Sequence, residues 1–223
     1  MNSLILAVDT THEYGSLTLA RGAEIIEDVA IHAPGGFAHV IYGHLEGLLS
    51  RHGVRLEAVE CFAAASGPGS FTGVRVGLAC IKGLAEAVGK PAVAISNLEA
   101  IATFGTASLR AAVMDARRIE IYGALYDEQG RLIGSEVVSQ IGPWLDTLPP
   151  GELEFVSPDP EMLAGALAGT RFERVPIVAA PRALGPAVAR LAAARLRRGE
   201  AGDPAALDAN YVRRSDAELF WKE

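Results

Sequence analysis

Ser66-Gly67-Pro68-Gly69-Ser70-Phe71-Thr72-Gly73-Val74-Arg75-Val76-Gly77-Leu78 is the stretch on which the reading of this chain turns. Residues 59–65 before it form a largely apolar run of strand length, and residues 73–88 after it carry a helical pattern. Four glycines and a proline within twelve residues make a tight turn where backbone can pass close to another group. Ser70 or Thr72 stands where it can cap the helix that follows. A strand, a glycine-rich turn and a helix start can cradle phosphate through backbone N–H groups. The order here is neither G-x-G-x-x-G nor G-x-x-x-x-G-K-[ST], and such turns also occur in α/β proteins without a nucleotide. Both readings stay open on spacing alone.

The helix over 73–88 has a single narrow polar stripe, Arg75, Lys82 and Glu86. Val74, Leu78, Ile81, Ala85 and Val88 form one flank, enough to cover a sheet. Gly73, Gly77, Cys80 and Leu84 form a second flank nearly opposite the stripe. Such a helix is buried on two sides or docks on a partner. The spacing of Gly73 and Gly77 would let another backbone approach. A second helix, over 36–52, has a core stripe of Ala38, Ile41, Leu45, Leu48 and Leu49. Gly43 and Gly47 lie on its other side, beside His39, Glu46 and Ser50. A glycine inside a helix costs roughly 1 kcal/mol against alanine, and close packing by another chain would offset it. Two such helices point to a helix-to-helix interface.

At 223 residues, half of them hydrophobic, the chain has material for one large domain or two small ones. Charges interrupt every apolar stretch before the roughly 20 residues a membrane span needs. Met1-Asn2-Ser3 offers no basic n-region, so no signal peptide is expected. Cys61 and Cys80 sit in apolar surroundings without a C-x-x-C, as expected of reduced thiols in the cytoplasm. There is no H-E-x-x-H, and His39 and His44 are spaced wrongly to share a helix face, so no metal site is expected. A net charge of −7 argues against this chain gripping nucleic acid by itself. The clusters Arg195, Arg197, Arg198 and Arg213, Arg214 read as solvated helix ends and tail.

Along the chain, strands are expected at 4–8, 16–20 and 24–31, then helix 36–52, strand 59–65, helix 73–88, strand 92–95 and helix 98–104. The order repeats with strands 110–114, 120–126 and 131–138, joined by the hairpin turn Asp127-Glu128-Gln129-Gly130. Helix 143–148, strand 154–156, helix 160–167, strand 174–178 and helix 186–198 follow. The fold class is therefore α/β, two βββαβαβα subdomains with mixed sheets and flanking helices. The expected subdomains are 1–104 and 105–223, the C-terminal helix and tail of the second, including Tyr211-Val212 and Phe220-Trp221, packing back on the first.

Each half's first strand ends in an aspartate, Asp9 and Asp115. That layout is similar to the actin/Hsp70/sugar-kinase superfamily, a ribonuclease H-like, actin-like ATPase fold. In its nucleotide-hydrolysing members both first hairpins are glycine-rich phosphate loops. Here Asp9-Thr10-Thr11-His12-Glu13-Tyr14-Gly15 has no glycine until its end, and Asp115-Ala116-Arg117-Arg118-Ile119-Glu120 has none. Bulky side chains should keep the amides from closing on a phosphate. A degraded or absent ATP pocket is expected, with Asp9, Thr10, Thr11, Ser66, Gly67 and Gly69 as the degenerate nucleotide-binding set. Turn capping is the other reading of both aspartates.

Ile5-Leu6-Ala7-Val8-Asp9-Thr10, the glycine stretch 66–78, Ile95-Ser96-Asn97-Leu98-Glu99-Ala100 and Asp115-Ala116-Arg117-Arg118 together resemble the bacterial TsaB (YeaZ) family. Tyr211-Val212-Arg213 adds weaker support, with Asn210 where many members have proline. The resemblance implies a non-catalytic relative of TsaD. TsaD, with the ATPase TsaE, places a threonylcarbamoyl group on the adenosine beside the anticodon of certain tRNAs. Catalytic paralogues carry an Asn-His-x-x-x-His metal motif, and the matching segment here puts Leu98 and Ala102 in the two ligand places. Neither side chain can bind a metal. The resemblance thus implies a scaffold that binds TsaD through the two helices, at His39, Gly43, Gly47, Gly73, Val76, Gly77, Cys80 and Leu84. It further implies TsaE in a ternary complex, tRNA met only through that complex, and a homodimer when TsaD is absent. No catalytic residue and no required cofactor are expected, with weak ATP or ADP at the partner interface. The alternative is an ATPase or sugar-kinase-like enzyme, which needs a phosphate grip at residues 9–11 and 66–69. A protease has no support, since no motif gives Ser70 a histidine and carboxylate.

Overall fold

The computed structural model describes residues 2–213. Its first strands, β1 (Leu4–Asp9), β2 (Tyr14–Arg21) and β3 (Glu24–His32), form an antiparallel meander. Helix α1 (Ile41–Arg51), β4 (Cys61–Ala65), α2 (Phe71–Ala87), β5 (Ala92–Ile95) and α3 (Asn97–Ala102) follow. β4 pairs in parallel with β1, and β5 in parallel with β4, giving the sheet order β3-β2-β1-β4-β5. β1 and β4 are central and buried on both faces, which is why they read as unbroken apolar runs. β3 is an edge strand, and its second half alternates between exposed and covered positions.

The pattern recurs. β6 (Leu109–Arg117), β7 (Glu120–Asp127) and β8 (Leu132–Gln140) form a second meander. Then come α4 (Ile141–Thr147), β9 (Leu153–Ser157), α5 (Pro160–Leu167), β10 (Ile177–Ala179) and α6 (Gly185–Arg197). This sheet is ordered β10-β9-β6-β7-β8, the first sheet's order over again. The βββαβαβα order read from the sequence is present twice. Each sheet has its own core. The first gathers Leu6, Val8, Leu17, Leu48, Phe62, Val74 and Ile81. The second centres on Phe155, with Trp144 and Phe172 edge-on at 6.4 and 5.6 Å.

The two compact units are not the consecutive stretches 1–104 and 105–223. One comprises Met1–Asn97 and Arg182–Asn210, the other Leu98–Pro181 and Tyr211–Glu223. The reason is that α6 has its polar partners in the first sheet. The Leu184 N–H donates to Asp9 Oδ2 at 2.8 Å, Arg195 Nη1 donates to Ala94 O at 2.8 Å, and Gly202 bridges Ala92. A Cβ on Gly185 would strike the Ser16 and Thr18 hydroxyls, so α6 lies against β2. Arg195 is therefore anchored rather than merely solvated, while Arg198 pairs with Glu200 at the surface.

Helix α1 starts at Ile41, five residues later than the pattern predicts. Residues 34–40 are turns, with Gly36 at φ +91° and buried Phe37 holding the segment to the core. Ala38 and His39 are exposed on those turns, so neither belongs to the helix. β10 starts after Pro176, because residues 171–174 turn instead of extending. Phe220-Trp221 and Arg214 lie outside the described residues.

Candidate functional site

The turn at 66–70 packs against the end of β1. Asp9 Oδ1 accepts from Thr11 N at 3.0 Å and from Thr11 Oγ1 at 2.7 Å, and Oδ2 accepts from Leu184 N. Thr11 Oγ1 accepts from Asn97 Nδ2 at 2.5 Å, and Asn97 Oδ1 accepts from Gly67 N at 3.0 Å. Ser70 N donates to Thr11 O, Asn97 N to Gly67 O, and Asn210 N to Ser66 O. Thr10 Oγ1 donates to Gly73 O at 2.7 Å. Asp9, Thr10, Thr11, Ser66 and Asn97 are all buried. Burial raises the Asp9 pKa above its ordinary value, against the opposing pull of the hydrogen bonds from Thr11 and Leu184. The amides of Thr11, Gly67 and Ser70, which a phosphate would need, already donate within the chain.

The glycines make this closure possible. A Cβ on Gly69 would stand 2.6 Å from Thr11 O, and one on Gly77 would stand 2.6 Å from Thr10 Oγ1. A Cβ on Gly73 would collide with the Thr10 carbonyl oxygen. Gly67 holds φ +97°, which L side chains rarely adopt. Ser70 is the helix cap, its Oγ accepting from Gly73 N at 3.3 Å.

Three of the residues expected at a partner interface are enclosed by this chain itself. Gly73, Gly77 and Cys80 are buried inside the first unit; Gly73 admits the Thr10 carbonyl of the chain's own hairpin, and Gly77 admits the Thr10 side chain. His39 precedes α1. Val76 and Leu84 are half-buried. Gly43 is exposed with nothing within 4 Å of an added Cβ, and Gly47 is half-buried beside the Arg51 guanidinium.

What α1 and α2 do present outward is different. α1 shows Tyr42 (57% exposed), Gly43 and Glu46. α2 shows Phe71 (41% exposed), Arg75, Ala79 and Gly83, one row at four-residue spacing. The Arg75 guanidinium carbon lies 3.7 Å above the Phe71 ring. An open groove of about 440 Å³ lies against α1, lined by Tyr42, Leu45, Glu46, Leu49, Ser50, Val54 and Leu56, with Leu84 of α2 at its wall. Sequence reasoning missed Tyr42, Phe71, Ala79 and Gly83. The four-residue row was there to find, but alanine and glycine carry no hydropathy signal. Behind this side, burial pushes the Cys80 thiol up to about 11 and the Cys61 thiol up to about 12.

In the second unit, Asp115 is exposed and its Oδ1 accepts from Arg117 N at 2.7 Å, a turn-capping contact. Arg213 donates to Ala116 O and pairs with Glu120, so it too is anchored. Leu98 and Ala102 are buried. Among the described residues no group of three or more His, Cys, Asp or Glu is arranged to hold a metal ion, and no helix is long and apolar enough to cross a membrane.

Two sheets of one order, each led by a hairpin whose first strand carries an aspartate near its end, define a duplicated ribonuclease H-like fold of the actin-like ATPase class. The family described as TsaD, tRNA N6-adenosine threonylcarbamoyltransferase, matches residues 36–171. The tRNA threonylcarbamoyladenosine biosynthesis protein TsaB of Bacillus subtilis is 30% identical over 149 residues, 65% of each chain. The protein of that name from Escherichia coli is 32% identical over 146 residues, 62% of each chain. The matches thus span somewhat under two thirds of these relatives' length. A solved structure from Pseudomonas aeruginosa, described as an uncharacterized protein with similarity to peptidase YEAZ, superposes with a TM-score of 0.79 at 27% identity, covering 95% of this chain and all of that one. The chain belongs to the TsaD family, on its TsaB/YeaZ branch.

Proposed function

We propose that this chain is a non-catalytic subunit that supports a TsaD-type enzyme in forming threonylcarbamoyladenosine beside the anticodon of tRNA. The observation that carries the reading is the outer side of α1 and α2. Tyr42 and Gly43 are exposed on α1, where Tyr42 lines a groove of about 440 Å³, and Phe71, Ala79 and Gly83 are exposed on α2, whose Leu84 lines the same groove. Large exposed rings beside small residues suit a close-packing helical partner. TsaD binds on this side, and a second copy of this chain takes its place when TsaD is absent. TsaE joins the pair, tRNA is met through the complex, and the setting is the cytoplasm.

The chain does no chemistry of its own in this reading. Buried Leu98 and Ala102 occupy the places of the paralogues' metal ligands, and neither side chain can polarise a substrate. The ATPase alternative would need amides that the glycine turn already spends on Asn97 and the hairpin. No cofactor is required, and any ATP or ADP is held weakly where the partner meets this chain. The peptidase in a relative's description finds no support in Ser70, whose Oγ holds the start of α2. The test is reconstitution of tRNA modification from TsaD, TsaE and a threonylcarbamoyl donor, with and without this chain. Modification that depends on the chain is expected. Equal yield without it would refute the reading.

A further inference from the structure

The β6–β7 hairpin turns through Arg117, Arg118 and Ile119 at φ +61°, +57° and +66°. Three consecutive left-handed residues without a glycine store strain, and isoleucine is among the residues least suited to that region. Glycine at any of the three would relieve it. The chain instead exposes Arg117, Arg118 and Ile119 at this turn, Ile119 at 91%. The base of the tip is braced. Asp115 Oδ1 accepts the Arg117 N–H, Arg213 donates to Ala116 O and pairs with Glu120, and its guanidinium lies 5.7 Å from the Tyr122 ring centre. Strain retained at an exposed, braced tip is a mark of function.

We propose that this tip is an RNA-contacting element: Arg117 and Arg118 meet phosphates of the substrate tRNA, and Ile119 packs on a neighbouring sugar or base. A three-residue tip cannot supply the roughly 800 Å² per partner that a stable protein interface buries. A phosphate contact needs only one cation on a fixed backbone. The chain's net charge of −7 keeps such a contact from serving as a general RNA grip, so it acts within an assembled complex. The inference rests on the tRNA reading above.

The experiment measures tRNA affinity, its salt dependence and modification kinetics for the assembled complex carrying Arg117→Ala with Arg118→Ala. The KM for tRNA should rise about tenfold with kcat and complex assembly unchanged. The slope of log affinity against log salt should flatten by about 0.7–0.9 for each phosphate that the variant no longer neutralises. Arg117→Lys with Arg118→Lys should restore most of the affinity. Arg118→Gly should bind tRNA more weakly while unfolding at higher denaturant, which separates RNA contact from loss of fold. Unchanged affinity and slope in a complex whose wild type modifies tRNA would overturn the proposal alone. Loss of complex assembly would overturn it in favour of a protein contact. Wild-type modification that ignores this chain would remove the parent reading as well.

Discussion

Consider alanine at each glycine of α2 in turn. At Gly77 the new Cβ would stand 2.6 Å from Thr10 Oγ1, the hydroxyl that donates to Gly73 O at 2.7 Å. Overpacking of this kind costs about 1–3 kcal/mol. Losing a buried hydroxyl-to-carbonyl bond costs about 1 kcal/mol more. Helix propensity returns roughly 1 kcal/mol. The net expectation for Gly77→Ala is about 1–3 kcal/mol of destabilisation. At Gly73 the obstacle is the Thr10 carbonyl oxygen, which cannot rotate aside as a hydroxyl can. Gly73→Ala should therefore cost about 3 kcal/mol or more. Gly83 faces open space, so Gly83→Ala should stabilise by about 0.5–1 kcal/mol. Urea unfolding followed by circular dichroism reads all three, with unchanged slopes confirming comparable transitions. Neutral or stabilising substitutions at Gly73 and Gly77 would refute the reasoning. The hairpin would then not press on α2, and the two glycines would face outward.

Three further outcomes rest on the same burial. Asp9→Ala removes both oxygens that serve Thr11 and Leu184, leaving buried N–H groups unpaired, and should cost about 3 kcal/mol in the same urea assay. Because burial raises the Asp9 pKa, its native state holds the proton more tightly than the unfolded chain. Its contribution to stability therefore falls as pH rises from the ordinary value of 3.8 to the raised one, and is constant above. The stability of wild type minus that of Asp9→Asn should decline over that window and then level off; a difference that grows with pH would contradict the assignment. With thiols at about 11 and about 12, neither Cys80 nor Cys61 should react with a thiol reagent at pH 8 until urea unfolds the chain. Rapid native labelling would mean that the back of α2 is open.

The β-sheets were readable because their central strands are buried on both faces and therefore lack polar residues, as in β1 and β4. The helix α2 was readable for the same reason along Val74, Leu78, Ile81 and Ala85. Its glycines misled. A glycine pair on a helix announces a close approach but does not say by what, and here it is Thr10, 63 positions away from Gly73, by its carbonyl at Gly73 and its side chain at Gly77. The place of α6 depends equally on distant contacts, Leu184 to Asp9 across 175 positions, which no local pattern encodes. The turns at 34–40 were hidden because Ala38 and Ile41 sit at helical spacing although only Ile41 is helical. The outward row of Phe71, Arg75, Ala79 and Gly83 escaped notice because Phe71 precedes the helical pattern read over 73–88, and Ala79 and Gly83 are small and not polar.

If α1 and α2 carry the partner, a charge set on their outer side must break the complex and leave the chain intact. Ala79 is exposed at the middle of the α2 row, so Ala79→Glu should leave the unfolding free energy within about 0.5 kcal/mol of wild type. Calorimetric titration of TsaD into this variant is the measurement. A loss of affinity of about 100-fold or more is expected, since a buried unpaired carboxylate costs several kcal/mol. Wild-type affinity in a folded Ala79→Glu chain would contradict the account, because the outer side of α2 would then not be where the partner binds.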